Sequence, residues 1–472
     1  MMTQGTIVPM NCIDKVLLSY EVGQQRMAFH LILSVQGQIE PDRLRGALIS
    51  VVGLHPTMRT TVCSSMSRSL RRVQGDCSEK VLELADLRAI SPTEGKNERE
   101  RHEKCISEWI NRPLDPRKEL PVRALLLEDG EAKYSLVFTF HHSAIDGLRA
   151  IRFIEEVLER YEHGDPFESA LSADLPKQRN RDELIALAQA EQRRVPGFRR
   201  QMLYYMFRFL VLTPFRRSTR IFHDGRRPSP RIDFCAGRLD SDRFRQMKSR
   251  SKALGATAND VLMAAAFRVI DEWNRLHGKN SGKLSLMVPV NVADHEHGNV
   301  AANLVSFISV ATYRKDRGDP IRLLRKVNRE SSSALKRKRG SAFAYIYFTY
   351  ALSRLPLAAM RVFASLVKFP VYADTVLHSN LGVVRLGGDD DRKGYSIVDF
   401  TAVAPVVNVM GMFFCISTYD DTLGISLSYN RGCFSEEEAR TFLGLYLEEL
   451  ENYCLDPQSQ EIPAEMTVAG SV

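Results

Sequence analysis

Short apolar runs alternate with longer amphipathic stretches along this chain of 472 residues, a pattern that predicts strands interleaved with helices. β-Branched and aromatic residues predict strands at 27–35, 134–140, 284–292, 304–310 and 424–430. Apolar residues at helical spacing predict helices at 41–52, 148–161, 238–254, 258–273 and 435–452. The mixture indicates a fold of the α/β (α+β) class.

Turn and capping residues sharpen several of these boundaries. Glu128-Asp129-Gly130 predicts a hairpin turn before the strand at 134–140. Thr257 with Asp260, and Ser435 with Glu438, have the spacing of capping boxes at helix starts. Pro356 divides the apolar stretch 341–369 into two predicted helices. The uncharged stretch 400–419 is interpreted as paired strands, because Pro405, Asn408 and Gly411 interrupt it.

Length and composition narrow the class of protein. A chain of this length predicts two domains or halves, and 44% hydrophobic with 26% charged residues is typical of globular proteins. The net charge of +8 favours acidic partners such as a coenzyme, an acidic carrier protein or a membrane surface. No nucleic-acid motif accompanies it, so no nucleic-acid partner is predicted. Eight scattered cysteines without a CxxC pair predict neither zinc, redox chemistry nor a disulfide framework.

The strongest chemical signal is the stretch from His141 to Gly147, HHSAIDG. It lies between a predicted strand and a predicted helix, so a tight turn between rigid elements should fix both histidines. Imidazole titrates near neutral pH and can accept a proton from an alcohol or amine. Asp146 can hold the turn through an ion pair or a backbone hydrogen bond, and Gly147 permits a positive φ where the chain enters the helix. A purely structural histidine pair is the less favoured interpretation.

HHSAIDG matches the HHxxxDG motif, and the chain resembles the coenzyme A-dependent acyltransferase superfamily. That superfamily contains chloramphenicol acetyltransferase, peptide-synthetase condensation domains, plant alcohol acyltransferases, wax ester synthases and polyketide-associated acyltransferases. Further matching segments are HPTMRT at 55–60, Arg112-Pro113 with Asp115, Pro121-Val122-Arg123, the GxTxND run at 255–260 and SNLG at 379–382. The sequence departs from the family at Ala293, where PVNxR has an arginine, and it lacks the plant DFGWG motif.

The resemblance implies two chloramphenicol acetyltransferase-like halves with an active-site tunnel between them. The expected boundaries are 1–175 for the first half, 176–230 for a connecting segment and 231–472 for the second half. Within the connection, 195–220 combines arginines with aromatic and aliphatic residues. A core helix flanked by solvated arginines is favoured there. A basic amphipathic helix on a membrane or over a lipophilic tunnel is the alternative.

The resemblance also implies roles for individual residues. His142 would be the general base, and Asp146, the second catalytic motif position, would anchor the turn by pairing with Arg59. His141 and Gly147 would be structural. Ser379 and Asn380 would contact the acyl group or the acceptor, with a simple turn as the alternative. No metal site is predicted, because Asp294, His295, Glu296 and His297 lie in a loop without metal-ligand spacing.

The implied activity is transfer of an acyl group from a thioester, either acyl-CoA or an acyl carrier protein, to the hydroxyl of a small or lipophilic acceptor. No permanently bound cofactor is expected, since the thioester is a co-substrate. Two alternatives remain open: a free-standing condensation enzyme that forms an amide from a carrier-bound acyl group, and a catalytically silent binding module. The setting would be lipid or secondary metabolism.

The sequence also suggests where the protein works. The first residues lack a basic segment followed by an apolar core, so no signal peptide is predicted. A cytoplasmic monomer is expected, with peripheral membrane contact as an alternative.

Overall fold

A computed structural model describes residues 7–21, 25–64, 69–73, 81–86, 98–130, 132–163, 185, 189, 193, 197–207, 211, 215–225, 227–291, 303–336, 339–367, 374–386 and 394–454. The strands are β1 Ile7–Pro9, β2 Ala28–Gly37, β3 Thr60–Ser64, β4 Ser69–Val73, β5 Leu82–Asp86, β6 Val122–Glu128, β7 Lys133–His141, β8 Ile232–Leu239, β9 Lys283–Asn291, β10 Val305–Tyr313, β11 Val376–Val383, β12 Tyr395–Val403, β13 Met412–Tyr419 and β14 Thr422–Asn430. The helices are α1 Cys12–Ser19, α2 Pro41–Leu54, α3 Glu98–Asn111, α4 Gly147–His163, α5 Phe198–Phe207, α6 Ser241–Ala253, α7 Ala258–Leu276, α8 Arg314–Arg317, α9 Pro320–Lys336, α10 Arg339–Ser353, α11 Leu357–Val367 and α12 Glu436–Cys454.

The first large sheet has the strand order β12-β2-β7-β6-β5. Its strands alternate their side chains between two faces, as the pleat requires. Phe29, Leu31 and Leu33 of β2 join the core beneath α2 and α4. Ile32, from the same strand, packs on the opposite face with Trp109 of α3. Both faces are therefore covered, which explains why β6 and β7 are apolar along most of their length.

The second large sheet has the strand order β10-β9-β11-β13-β14-β8. Its main core contains residues of α6, α7, α9 and α12, among them Phe267, Leu323 and Phe442. A third sheet joins β1, β4 and β3. The mixed α/β architecture with two large sheets agrees with the fold class expected from the sequence.

Most predicted elements are present, including the β6–β7 hairpin, in which Leu125 pairs with Val137. Both capping boxes form: Asp260 N–H donates to Thr257 Oγ1, and Glu438 N–H donates to Ser435 Oγ. The two helices expected around Pro356 are α10 and α11. Local sequence signals thus located these elements correctly.

Three expectations were wrong in detail. The segment 400–419 does form strands, but β12 pairs with β2 in the first sheet and β13 belongs to the second. Arg238 belongs to strand β8 rather than to a helix, and α6 begins only after Asp240, which caps it by accepting from the Arg243 N–H. The SNLG segment is not a simple turn, since β11 runs through it parallel to β13.

The favoured interpretation of 195–220 as a core helix also fails for its described part. Leu203, Tyr204 and Phe207 of α5 are exposed. Among the described helices, none is long and apolar enough to cross a membrane alone. The α6–α7 pair together has the length and composition of a membrane span, but it is bent by 98°.

Candidate active site

The turn that carries HHSAIDG joins the end of β7 to the start of α4. The N–H of Ala144 donates to the His141 carbonyl at 2.9 Å and closes the turn. The N–H of His142 donates to the carbonyl of Met27, also at 2.9 Å, which ties the turn to the chain just before β2. Both histidines are thus held by backbone contacts in addition to side-chain packing.

His142 lies on the wall of a cavity of about 610 Å³. Its ring packs against Phe29, with 5.1 Å between ring centroids. Burial lowers the pKa of His142, and contacts with its own backbone carbonyl and with the Asp146 charge only partly oppose that shift. Nδ1 is enclosed by protein, which leaves Nε2 to face the cavity. The result is a neutral imidazole with one nitrogen available to a bound molecule.

His141 is fully buried and points away from this chemistry. Its Nδ1 accepts from the N–H of Ser143 at 3.2 Å, with the Ser143 hydroxyl 2.8 Å away. That places the ring proton on Nε2, which lies 3.0 Å from Oε1 of Glu21. This last contact is electrostatic rather than a well-aligned hydrogen bond. Although burial raises the pKa of Glu21, His141 and the Met27 N–H lower it overall. The ring of His141 is therefore enclosed within the turn, and its structural role stays a prediction.

Asp146 anchors the turn from both sides. Its Oδ1 accepts from the Arg149 N–H at 3.1 Å and so caps α4. Its Oδ2 accepts from Arg149 Nη1 at 2.8 Å and from the Leu304 N–H at 2.9 Å. The expected pairing with Arg59 was wrong, because Arg149, one helical turn away, occupies the carboxylate. Arg59 instead sits in the turn after α2, where its N–H donates to the His55 carbonyl.

Gly147 gives the start of α4 space next to the second sheet. Its φ is not among the positive values found in the described chain, so the conformational freedom that glycine permits there is not used. A Cβ at this position would lie 3.1 Å from Cδ2 of Leu381. The glycine thus lets the start of α4 approach β11, which belongs to the second sheet.

Asn303 connects the motif to two distant parts of the chain. It is fully buried, and its Nδ2 lies 2.7 Å from the His142 carbonyl and 2.8 Å from Oδ1 of Asp14 in α1. The backbone of the same segment reaches Asp146 through the Leu304 N–H. The segment before β10 therefore holds both ends of the histidine turn.

The cavity is lined by elements of both large sheets and is mostly apolar. Its wall includes Phe29, Met287, Phe307, Phe348, Leu352, Met360, Leu377, Val403 and Phe413. Ser379 and Asn380, which the resemblance places near substrate, both lie on this wall. Asn380 is engaged by protein: its Nδ2 donates to Asn259 at 3.1 Å, and its Oδ1 accepts from the Gly382 N–H. Ser379 is therefore the better placed of the two to meet a bound molecule.

The remaining polar groups of the wall limit the chemistry available there. Burial raises the pKa of Cys415 to about 12, so this thiol is neutral and a poor nucleophile. Among the carboxylates lining the cavity, Asp146 binds Arg149, Asp374 accepts from Ser309 and Glu330 pairs with Lys326. Within the described ranges no group of three or more His, Cys, Asp or Glu side chains could hold a metal ion. The arrangement provides a base without an activated thiol beside it.

Sequence reasoning missed three residues that support the motif. Arg149 was detectable, because it stands three residues after Asp146 at a helix start. Glu21 and Asn303 gave no local signal, since Asn303 is 161 residues from its partner His142. Ala293, the loop from Asp294 to His297 and the Gly298-Asn299 pair lie outside the described residues.

Comparison with known proteins agrees with this geometry. Residues 17–174 match the condensation-domain family model. A relative from Mycobacterium tuberculosis, the uncharacterized protein Rv2305, is 26% identical over 289 residues, which are 58% of this chain and 60% of that protein. The alignment therefore spans somewhat less than two thirds of that relative's length.

Two solved structures share the fold. The first condensation domain of the calcium-dependent antibiotic synthetase aligns over 96% of this chain and 98% of its own, with a TM-score of 0.67 and 15% identity. The TRI3 trichothecene 15-O-acetyltransferase of Fusarium sporotrichioides aligns over 96% of both chains, with a TM-score of 0.70 and 12% identity. The chain thus matches the condensation-domain family model over residues 17–174 and shares the two-lobed α/β fold of condensation domains and of the TRI3 acetyltransferase over nearly its whole length.

Proposed function

We propose that this protein transfers an acyl group from a thioester to the hydroxyl of a lipophilic acceptor, with His142 as the general base. The observation that carries the proposal is the neutral, buried imidazole of His142 on the wall of a largely apolar cavity. A general base must be unprotonated to work, and burial favours that form near neutral pH. The donor, acyl-CoA or an acyl-carrier thioester, is a co-substrate.

The proposed reaction proceeds in two steps. Nε2 of His142 takes the acceptor's hydroxyl proton while the oxygen attacks the thioester carbonyl, giving a tetrahedral oxyanion. The carbon–sulfur bond then breaks, and the departing thiolate receives the proton from the imidazolium. The Ser379 hydroxyl is the proposed oxyanion donor, because among the described residues no hydrogen bond occupies it. The neutral thiol of Cys415 favours direct transfer over a covalent intermediate.

Because the carboxylates that line the cavity are already paired, we favour an acceptor with a hydroxyl group over one with an amine. An ammonium ion entering an apolar cavity requires a carboxylate partner to offset its desolvation. Asp146, Asp374 and Glu330 already bind protein groups, so none of these is held ready for a cation. A neutral alcohol needs no such partner. The likeness to a condensation domain of an antibiotic synthetase supports amide formation as the second candidate.

Thiol release tests the proposal directly. Acyl-CoA thioesters of several chain lengths are mixed with alcohols or amines, and His142→Ala is compared with wild type. General-base catalysis contributes on the order of 100- to 10,000-fold, so acceptor-dependent release should fall by about that factor. His163→Ala, which removes an exposed histidine at the end of α4, is the matched control and should keep wild-type activity.

Each alternative predicts a different result. Release that survives His142→Ala would remove this residue from the reaction. Release with amines alone would favour the amide-forming candidate. Release only from an acyl carrier protein would replace the coenzyme A donor, and no release from any thioester would favour a silent binding module.

A further inference from the structure

Helix α5 presents large apolar side chains to solvent. Leu203 and Phe207 are 61% and 53% exposed, and they stand one helical turn apart on the same face. Tyr204 beside them is exposed to a similar extent, and Phe215, after the helix, is 84% exposed. A surface helix of a globular protein normally turns its polar residues outward. The reversed pattern indicates a face that another phase or molecule covers.

The charged residues that neighbour these side chains along the sequence are all arginines. Arg200 precedes Leu203 by three residues and so shares its face, and Arg216 and Arg217 follow Phe215 directly. All three arginines are exposed. The sequence from 192 to 223 contains eight arginines and no Asp, Glu or Lys. We name this set of exposed residues the basic apolar stripe: Arg200, Leu203, Tyr204, Phe207, Phe215, Arg216 and Arg217.

The stripe lies on the outer side of elements that line the cavity. Met206, which belongs to the same helix, contributes to the cavity wall. Helix α5 packs against α10, whose Phe348 and Leu352 also line the cavity. At the other end of the stripe, Lys283 of the cavity wall donates to the Arg216 carbonyl at 3.1 Å. The helix that carries much of the stripe therefore also contributes to the cavity wall.

We propose that the basic apolar stripe docks on the surface of an anionic lipid bilayer. Large apolar side chains bordered by arginines are the pattern of helices that lie in a membrane interface. The apolar residues would enter the acyl boundary, while the arginines contact lipid phosphates. Docking there brings a mainly apolar cavity next to the bilayer, so a lipophilic substrate need not cross water. Delivery of substrate from the bilayer rests on the proposed acyl transfer; the docking itself does not.

Sedimentation with lipid vesicles tests the docking. The full-length protein is mixed with vesicles of phosphatidylcholine alone or of phosphatidylcholine with phosphatidylglycerol. Wild type should sediment with the anionic vesicles and be released by salt, because screening weakens contacts with phosphates. Leu203→Ser combined with Phe207→Ser should weaken binding by more than about tenfold. Arg200→Gln, Arg216→Gln and Arg217→Gln together should weaken it by about 100-fold, at roughly fivefold per arginine.

Matched controls separate the stripe from general effects. Leu276→Ser replaces a leucine that is 58% exposed at the end of α7. Arg245→Gln removes an exposed arginine from α6. Neither residue belongs to the stripe, so both variants should sediment like wild type. If the stripe variants also sediment like wild type, or if wild type binds neither kind of vesicle, the proposal is wrong. Binding of an acidic carrier protein without lipid binding would overturn it as well.

Measuring thiol release in the same samples distinguishes an effect on docking from an effect on catalysis. The stripe variants should retain wild-type rates with short, water-soluble substrates, since Leu203 and Phe207 do not line the cavity. They should lose rate only with a lipophilic substrate supplied in vesicles. A wild type that binds vesicles but transfers no acyl group would leave the docking intact and refute the proposed function.

Discussion

At the scale of single residues, the protonation state of His142 decides whether the site can work. Desolvation penalises the charged imidazolium, so burial lowers the pKa of this ring relative to the usual 6.5 of histidine. The ring is then neutral at neutral pH. The neighbouring His141 contacts Ser143 and Glu21, whereas His142 lines the cavity.

This burial predicts the pH dependence of acyl transfer. Activity requires neutral His142, so kcat/KM should stay constant as pH falls and should be lost only as pH passes through the lowered pKa. The midpoint of the acidic limb should therefore lie below 6.5. The profile is measured as thiol release with a substrate that does not itself titrate. A midpoint at or above 6.5 would contradict a desolvated base at this position.

At the scale of elements, the Arg112-Pro113 segment and the Pro121-Val122-Arg123 segment form one structural unit. The guanidinium of Arg123 donates to the carbonyls of Arg112 and Pro113, at 2.5 and 2.9 Å. It also lies over the ring of Trp109, 4.9 Å from the centroid. Burial lowers the pKa of Arg123 to about 10, which still leaves it charged at neutral pH. The two sequence matches thus describe how α3 is fastened to β6.

Replacing this arginine should destabilise the protein far more than replacing its exposed neighbour. Arg123→Met leaves two backbone carbonyls without their donor and should lower the free energy of unfolding by about 3 kcal/mol. Arg112→Ala removes a half-exposed ion pair with Glu83 and a cation–π contact with Trp109, 5.4 Å from the ring centroid, and should cost only about 1 kcal/mol. Urea unfolding curves of both variants give the comparison. Equal losses would show that Arg123 does not fasten α3 to β6.

At the scale of the whole molecule, the two large sheets are not assembled from separate parts of the sequence. Strand β12 lies far along the chain, yet it pairs with β2, with Phe400 opposite Leu33 and Ala402 opposite Leu31. Asn303 and Leu304, from the segment before β10, hold the histidine turn of the first sheet. The first sheet is therefore incomplete without residues from the second half of the chain.

This exchange predicts that residues 1–230 do not fold stably alone. Without β12, strand β2 becomes an exposed edge and the core beneath α2 and α4 loses Phe400 and Ala402. The fragment should aggregate or show no cooperative urea transition. A peptide of residues 394–404 should improve its solubility, whereas a scrambled peptide of the same composition should not. Cooperative unfolding of the fragment by itself would show that β12 is dispensable.

The sequence by itself determined the local elements and the chemistry of the motif. Hydrophobic periodicity and capping residues act over a few positions, so strands such as β7 and helices such as α4 and α7 were predictable. The position of two histidines between a strand and a helix was visible for the same reason. Ser379 and Asn380 were placed near the site by resemblance, and both line the cavity.

Tertiary structure alone decided which distant groups support that motif. Local spacing could not show that Asn303 would reach the His142 carbonyl from 161 residues away, that Glu21 would face His141, or that β12 would join the first sheet. Gly147 leaves room for Leu381 of the other sheet, while its own φ is not positive. These contacts depend on how whole sheets pack, and close packing fixes partners that periodicity along the chain does not specify.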